Sequence, residues 1–243
     1  MRLKNKICLI TGSSGGIGKK IAESFSAEGA HVIITYNKNK NEALKLSKKL
    51  KSSTVYKLDV SKKTQVKKIF NLIQKKFKRI DVLVNNAGVN KSNDFDKLSE
   101  KDWDLVLNVN LKGVFFCCQE VLKSMPKGGK IINIGSLSGE YGGPRTPSYA
   151  AAKAGVMSLT HCLARFVGKK KINVNCISPG VIDNEFTTKT MSKSVRKIVN
   201  SLLLIPRLGK LSDITGAAVF LASNESNYIT GQTISINGGA WVR

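Results

Sequence analysis

Short apolar runs rich in β-branched residues alternate along this chain with longer stretches in which apolar positions recur every three or four residues. The short runs are Ile7–Thr11, His31–Tyr36, Thr54–Leu58, Ile80–Val84, the run from Ile131 to Ile134, Ile172–Ser178 and Gln232–Ile236. Helical periodicity covers Ile17–Glu28, Asn41–Leu50, Lys62–Phe77, Lys101 to about Met125, Tyr149–Val167, positions 185–203 and Ser212–Ala222. In the third of these, Val66, Ile69, Phe70, Ile73 and Phe77 fall on one stripe, the mark of a helix with one buried face. Strict alternation of this kind predicts an α/β fold, a doubly wound parallel β-sheet of about seven strands with helices on both faces. No Pro/Gly/Ser-rich linker or internal repeat interrupts it, so residues 1–243 read as a single domain.

Sheets of this design bind ligands past the carboxyl ends of their strands, where strand order reverses. The distinctive residues of the chain fall at those ends. Thr11-Gly12-Ser13-Ser14-Gly15-Gly16-Ile17-Gly18 follows the first strand and opens a helix. Its Gly-x-x-x-Gly-x-Gly spacing lets backbone approach a pyrophosphate resting on the helix N-terminus, as in a Rossmann dinucleotide site. After the second strand come Thr35-Tyr36-Asn37-Lys38-Asn39-Lys40, with no carboxylate to bond a ribose 2′-hydroxyl and repel a 2′-phosphate, which favours NADP(H) over NAD(H). Asp59, in Leu58-Asp59-Val60, is placed to accept the adenine amino group, to cap the following helix, or both. The small residues of Asn85-Asn86-Ala87-Gly88 let a cofactor pass over the strand ends, and the Asn side chains can tie strands together. Asn110 interrupts a helical pattern that its residue type disfavours, which points to a local break with a polar task.

The most chemically suggestive stretch is the strand ending at Ser136 together with Tyr149-Ala150-Ala151-Ala152-Lys153. Tyr and Lys four apart share one helix face. An ammonium beside a phenol favours the phenolate and is expected to draw the tyrosine below its ordinary pKa of about 10. Such a tyrosine exchanges a proton with a carbonyl or alcohol near neutral pH, and Ser136 is placed to bond the same oxygen. Ser138 is a nearby alternative hydroxyl.

Composition narrows the picture. The chain has a formal net charge of +24, with lysines concentrated at 38–51, 62–78 and 169–171. Arg is scarce beside Lys and the charge reads as spread over many helices. That argues against sequence-specific nucleic-acid binding, which favours Arg forks on guanine. No apolar run reaches the ~18–20 residues of a membrane span. The run Ile7–Ile10 after the basic start is too short for a signal-peptide core, so a cytoplasmic location is expected. Cys8, Cys117, Cys118, Cys162 and Cys176 lie in apolar segments without metal-ligand spacing to His31 or His161 and read as reduced core residues, with no metal site.

Taken together and in order, Thr11–Gly18, Asn85–Gly88, Asn110, Ser136, Tyr149/Lys153, Pro179-Gly180, Ile229-Thr230-Gly231 and Asn237-Gly238-Gly239 resemble the short-chain dehydrogenase/reductase family over nearly the whole chain. Within that family the chain is most similar to reductases of 3-oxoacyl-[acyl-carrier-protein] and of acetoacetyl-CoA. The resemblance implies a tetrad. Tyr149 is the general acid, Lys153 lowers its pKa and holds the nicotinamide ribose, Ser136 orients the carbonyl, and Asn110 fixes a water leading protons to Lys153. It implies a cofactor site made of Gly12, Ser14, Gly16, Ile17 and Gly18; Tyr36, Asn37 and Lys38; Asp59 and Val60; Asn86, Ala87 and Gly88; Tyr149 and Lys153; and Pro179, Gly180, Ile182 and Thr187.

Two departures stand out. Gly15 replaces an Arg that clamps the 2′-phosphate in many NADPH-using relatives, leaving Lys38 or Lys40 to substitute, and Asn184 stands where Thr is frequent, so that Asn184 or Thr187 takes that contact. Positions 185–203 resemble a short substrate lid carrying Phe186, Met191 and Val195, suited to a β-keto thioester on acyl-carrier protein or coenzyme A. Lys127, Lys130 and Lys169–Lys171 lie next to the strands that feed the site and read either as a dock for an acidic carrier or as solvated surface. The apolar faces of helices 101–125 and 149–167, with Val114, Phe115, Val156 and Leu159, read as sheet packing or, as in relatives, as homotetramer contacts. The competing readings are a dehydrogenase of another secondary alcohol or ketone, such as a sugar or steroid, and a non-catalytic dinucleotide- or nucleic-acid-binding protein.

Overall fold

The computed structural model describes residues 1–184, 187 and 192–242, with only the backbone of Val195. Seven strands form one parallel sheet: β1 (Ile7–Ile10), β2 (His31–Tyr36), β3 (Ser53–Lys57), β4 (Val82–Asn85), β5 (Lys130–Ile134), β6 (Asn173–Pro179) and β7 (Thr233–Ile236). Their order is β3-β2-β1-β4-β5-β6-β7, so the strand order reverses between β1 and β4. Every pairing is parallel. Parallel strands covered on both faces must be apolar at successive positions, and β4 and β5 are buried throughout.

Two apolar clusters sandwich the sheet. On one face α1 (Gly16–Ala27), α2 (Lys40–Lys49) and a C-terminal helix (Leu211–Ala222) contribute Ile21, Phe25, Leu46, Ile214 and Val219 against Cys8, Ile10 and Val84. On the other, α3 (Lys63–Phe77), α5 (Gly113–Val121) and α7 (Pro147–Val167) contribute Val66, Ile73, Val114, Val121 and Val156 against Leu9, Leu83 and Ile131. Neighbouring strand residues such as Cys8 and Leu9 belong to opposite clusters, as the two-residue period of a strand requires.

The helix expected from Lys101 to Met125 is divided. α4 (Glu100–Leu107) runs through a π-turn at Asn108–Lys112 into α5, which ends at Val121. The break falls where Asn110 suggested it, and single π-turns recur at functional sites. A four-residue helix, α6 (Ser138–Tyr141), follows β5 and has no counterpart in the periodicity. Phe186 and Met191 of the expected lid, and the side chain of Val195, lie outside the described residues. Within the same stretch Lys193–Ser201 is helical.

One expectation about the surface is corrected, and the charge can be placed. Fourteen lysines and only two carboxylates lie between positions 38 and 78, a net +12 that is half of the chain's charge. All fourteen lysines are exposed. They lie on α2, the edge strand β3, α3 and the adjoining turns, with α2 and α3 on opposite faces of the sheet. Cys162 is exposed, while the other four cysteines are buried. Burial drives the Cys118 thiol up to about 12 and that of Cys176 to about 11, which suits packing and not nucleophilic chemistry. No helix among the described residues is long and apolar enough to cross a membrane.

Candidate active site

The carboxyl ends of β1, β2, β4, β5 and β6 border a cleft of about 730 Å³, within the range of small-molecule sites. Its floor at the first crossover is the glycine loop. Ser13 is buried and holds the loop to β2: its Oγ donates to Ile10 O at 3.0 Å and accepts from Thr35 N at 3.1 Å. Gly12 has φ +62°, and a Cβ there would stand 2.8 Å from the Ala87 Cα, so the loop can lie against the end of β4 only without a side chain. A Cβ on Gly15 or Gly16 would meet nothing within 4 Å, so the space beside them is open cleft. The first turn of α1 has no acidic residue and no side-chain cap, leaving its amide groups to face the cleft. These features fit the pyrophosphate of a dinucleotide.

Ser14, Gly16, Ile17, Asn37, Lys38, Asp59, Val60, Asn86, Ala87 and Gly88 line the same cleft, as do Pro179, Gly180, Ile182 and Thr187. Two expected residues do not. Gly18 lies behind the loop, where a Cβ would approach Asn86 Nδ2 to 2.3 Å, and Tyr36 packs against the apolar cluster under α1 and α2. Asp59 does not cap α3. Its Oδ1 accepts from Ser61 N at 3.0 Å and Ser61 Oγ at 2.7 Å, a turn that completes before α3 begins at Lys63. The Asn pair after β4 ties strands as its residue type allows. Asn86 Nδ2 donates to Thr11 O at 2.9 Å and Gly12 O at 3.1 Å, and Asn85 Nδ2 donates to Asn133 Oδ1 at 2.9 Å.

At the other end of the cleft lie Ser136, Tyr149, Lys153 and Asn110. Lys153 is buried at 4% exposure. Its Nζ donates to Ile134 O, the last carbonyl of β5, at 2.6 Å and sits 5.5 Å from the centroid of the Tyr149 ring. The expected shared face is therefore realised on α7. Ser136 follows β5 directly, and its Oγ accepts from Ser138 N at 3.2 Å. Ser138 itself does not line the cleft. Asn110 is fully buried in the π-turn, its Nδ2 donating to Val89 O at 2.8 Å and Val106 O at 2.9 Å. Its Oδ1 has no partner, and a Cβ on Gly88 would come within 2.6 Å of that oxygen. A buried acceptor left open beside the cleft is suited to a bound water.

Sequence reasoning missed several lining residues, among them Val89 and Asn90 past β4 and Val109 in the π-turn. They carry no pattern of their own and enter through the bend that follows each element. The lysines read as a dock are also relocated. Lys127 and Lys169–Lys171 lie before β5 and β6, at the opposite end of the sheet from the cleft, where Gly128 N bonds Lys171 O at 2.9 Å. Lys130 is not a surface group at all. It is 1% exposed, with Nζ donating to Asn173 Oδ1 at 2.7 Å and Asn227 Oδ1 at 2.8 Å, and burial lowers its pKa to about 8. Of the helix residues read as apolar faces, Val114 and Val156 are core, while Phe115 stays 41% exposed.

Comparison with known proteins agrees with this architecture. A family model described as enoyl-(acyl carrier protein) reductase matches residues 12–240. The 3-oxoacyl-[acyl-carrier-protein] reductase of Thermotoga maritima is 41% identical over 244 residues, covering 98% of this chain and 99% of that protein. The protein of that name from Chlamydia muridarum is 40% identical over 243 residues, covering 98% of each. Among solved structures, a blue fluorescent protein from a metagenomic library in complex with NADPH superposes with TM-score 0.93 at 31% identity over 100% of both chains. A short-chain dehydrogenase/reductase of Brucella melitensis, titled a glucose/ribitol dehydrogenase, gives 0.94 at 32% identity, covering 100% of this chain and 99% of that one. With a dinucleotide-type cleft in place and relatives matched over almost its full length, the chain belongs to the short-chain dehydrogenase/reductase family of NAD(P)-dependent oxidoreductases.

Proposed function

We propose that this enzyme reduces a 3-oxoacyl thioester, carried on acyl-carrier protein or coenzyme A, to the 3-hydroxyacyl thioester, with NADPH as the reductant. The observation that carries the reading is the meeting of Ser136, Tyr149 and Lys153 at the end of β5, in the same cleft as the glycine loop. The names of its relatives support the substrate class.

When bound in this cleft, a reduced nicotinamide would supply the hydride, two electrons and one hydrogen, that the carbonyl carbon needs. The chain's own groups handle the oxygen. Ser136 Oγ, fixed by the amide of Ser138, donates to the carbonyl oxygen and stabilises the charge that develops there. Tyr149 gives its phenolic proton to that oxygen, and the Lys153 ammonium beside the ring stabilises the negative charge left behind. Lys153 is held in place by the Ile134 carbonyl. The open Oδ1 of Asn110 accepts from a water that returns a proton toward Lys153.

The preference for the 2′-phosphorylated cofactor rests on the end of β2. Asn37, Lys38 and Asn39 line the cleft there with no carboxylate among them, and Lys38 supplies the charge that an Arg at position 15 provides in many relatives. The open space beside Gly15 leaves room for that phosphate. For the substrate, a second cavity of about 300 Å³, lined by Ala150 next to Tyr149 in sequence, has an apolar wall from Phe95, Pro147 and Ala150 and a polar edge from the Arg145–Asp94 ion pair, at 3.0 Å. Such a pocket suits an acyl or thioester arm. The reading also includes a cytoplasmic enzyme working as a homotetramer through the exposed Phe115 and Phe166 faces of α5 and α7.

The test is NADPH consumption with acetoacetyl-CoA, an acetoacetyl-carrier protein, a sugar ketone and an enoyl thioester. Turnover confined to the first two is expected, and preference for the sugar or the enoyl thioester overturns the substrate reading. Tyr149→Phe is expected to abolish turnover with dinucleotide binding intact. Unchanged turnover defeats the mechanism. Tighter binding of NADH than NADPH by titration overturns the cofactor preference.

A further inference from the structure

Glu140 belongs to α6, the short helix directly after Ser136. Its Oε1 accepts from Ser178 Oγ at 2.5 Å and from Ser235 Oγ at 2.9 Å. Ser178 is fully buried near the end of β6, and Ser235 lies on β7. One carboxylate oxygen therefore fastens the turn after β5 to the two strands beyond it. Hydroxyls donating to a carboxylate form short, charge-assisted bonds, stronger than those between neutral groups.

The opposite side of α6 leans on the catalytic helix. A Cβ on Gly139 would stand 2.7 Å from Ala154 N and from the Lys153 carbonyl carbon, so α6 packs directly on the backbone that carries Lys153. At its start, Ser138 N bonds Ser136 Oγ at 3.2 Å, and Leu137 N bonds Pro179 O at 2.9 Å. Any movement of α6 away from β6 and β7 thus reaches both the hydroxyl and the ammonium of the site.

We propose that Glu140 is a positioning residue: by clamping α6 to Ser178 and Ser235 it sets the direction of the Ser136 hydroxyl and the seat of Lys153. The proposal rests on the reading of Ser136, Tyr149 and Lys153 given above. A displacement of the reacting groups on the ångström scale costs up to about a hundredfold in rate, so a partial loosening of α6 is expected to cost on the order of tenfold.

The experiment measures kcat and KM for Glu140→Ala, Glu140→Gln and both substitutions in a Ser136→Ala background, with whichever carbonyl compound the enzyme reduces. Glu140→Ala is expected to lower kcat about tenfold with the dinucleotide KM within about twofold. Glu140→Gln keeps an oxygen that can accept both hydroxyls and is expected to restore most of the rate. In the Ser136→Ala enzyme the further loss is expected to be clearly smaller than in the parent, because one of the two groups being aimed is gone and only the effect on the seat of Lys153 remains. If Glu140→Ala does not fold, Ser235→Ala removes the exposed donor alone and is expected to lower kcat about threefold. An unaltered kcat in the variant that folds, or an equal loss with and without Ser136, overturns the proposal. Tyr149→Phe run alongside separates the two levels. Retained turnover there overturns the reading of the site and the proposal with it, whereas lost turnover there with unaltered kcat in Glu140→Ala overturns the proposal alone.

Discussion

Gly18 is a helical glycine of α1 whose importance lies entirely in what stands behind it. Replacing it with Ala gains about 1 kcal/mol in helix propensity. The new Cβ, however, would lie 2.3 Å from Asn86 Nδ2 and 3.0 Å from Gly12 O. The first is closer than carbon can approach and the second is tight, so the Asn86 amide must leave its place, and with it go the bonds to Thr11 O and Gly12 O. At about 1 kcal/mol each these cost about 2 kcal/mol. The net loss of stability is on the order of 1 kcal/mol, read by urea unfolding. The effect on ligand binding is larger, because the freed carbonyls belong to the loop that faces the pyrophosphate. Dinucleotide affinity, measured by isothermal titration calorimetry, is expected to fall at least about tenfold, or 1.4 kcal/mol. Gly15→Ala is the control: its Cβ meets no protein atom within 4 Å, so its stability is expected to match that of the parent. If Gly18→Ala binds the dinucleotide as tightly as the parent, the Asn86 bracket does not shape the loop and the reasoning fails.

Three further outcomes follow from the same contacts. Lys130, with its pKa lowered from 10.5 to about 8, releases its proton in the folded chain while the unfolded chain still holds it. Between about pH 8 and pH 10.5 the unfolded state therefore binds more protons and stability rises with pH, by about 3 kcal/mol relative to Lys130→Met in parallel urea titrations; parallel curves would refute it. Asn110→Ala leaves the carbonyls of Val89 and Val106 without their donor and is expected to cost about 2 kcal/mol, measured as a shift in urea midpoint at constant slope. The basic stretch at positions 38–78 adjoins the cleft at Lys38, so stopped-flow association of NADPH is expected to slow as salt rises from about 20 to about 300 mM, with dissociation little changed.

Element order was legible because a parallel strand covered on both faces has few polar positions, and the helices between carry a one-sided stripe. The limits of legibility are equally physical. α6 is four residues, Ser138-Gly139-Glu140-Tyr141, too short for any period to show, and it is fixed by contacts to β6, β7 and α7 that are distant in sequence. Asn110 betrayed its π-turn because Asn is a poor helix former, yet nothing in the pattern indicated that Val109 beside it would face the cleft. Gly18 was read by its spacing as a ligand contact, whereas it is a gap left for Asn86. The docking lysines were misplaced for a geometric reason. Lys130 and Ser136 are near neighbours in sequence, but β5 lies between them and carries them to opposite ends of the sheet.

The polar groups beneath the cleft tie neighbouring strand ends and loops to one another, and those ties explain how one site can have two working ends. Each such group costs about 1–3 kcal/mol if left unpaired, so a core holds them only where their partners are fixed. Here the partners run sideways across the strand ends. Ser13 joins the glycine loop to β2 through Thr35, and Asn86 joins the end of β4 to the same loop through Thr11 and Gly12. Asn85 reaches Asn133 on β5, Asn133 donates to Thr160 of α7 at 2.9 Å, and Lys153 of α7 returns to Ile134 of β5. From β2 to the catalytic helix, separate side-chain hydrogen bonds thus tie strand ends and loops together, partly through backbone groups, over a sheet whose apolar packing alone fixes layers but not lateral aim. A dinucleotide is a long ligand, and its reacting ring is useful only if the phosphate cradle and the Tyr149–Lys153 pair keep a constant separation. These polar ties supply that constancy, each at its own strand end.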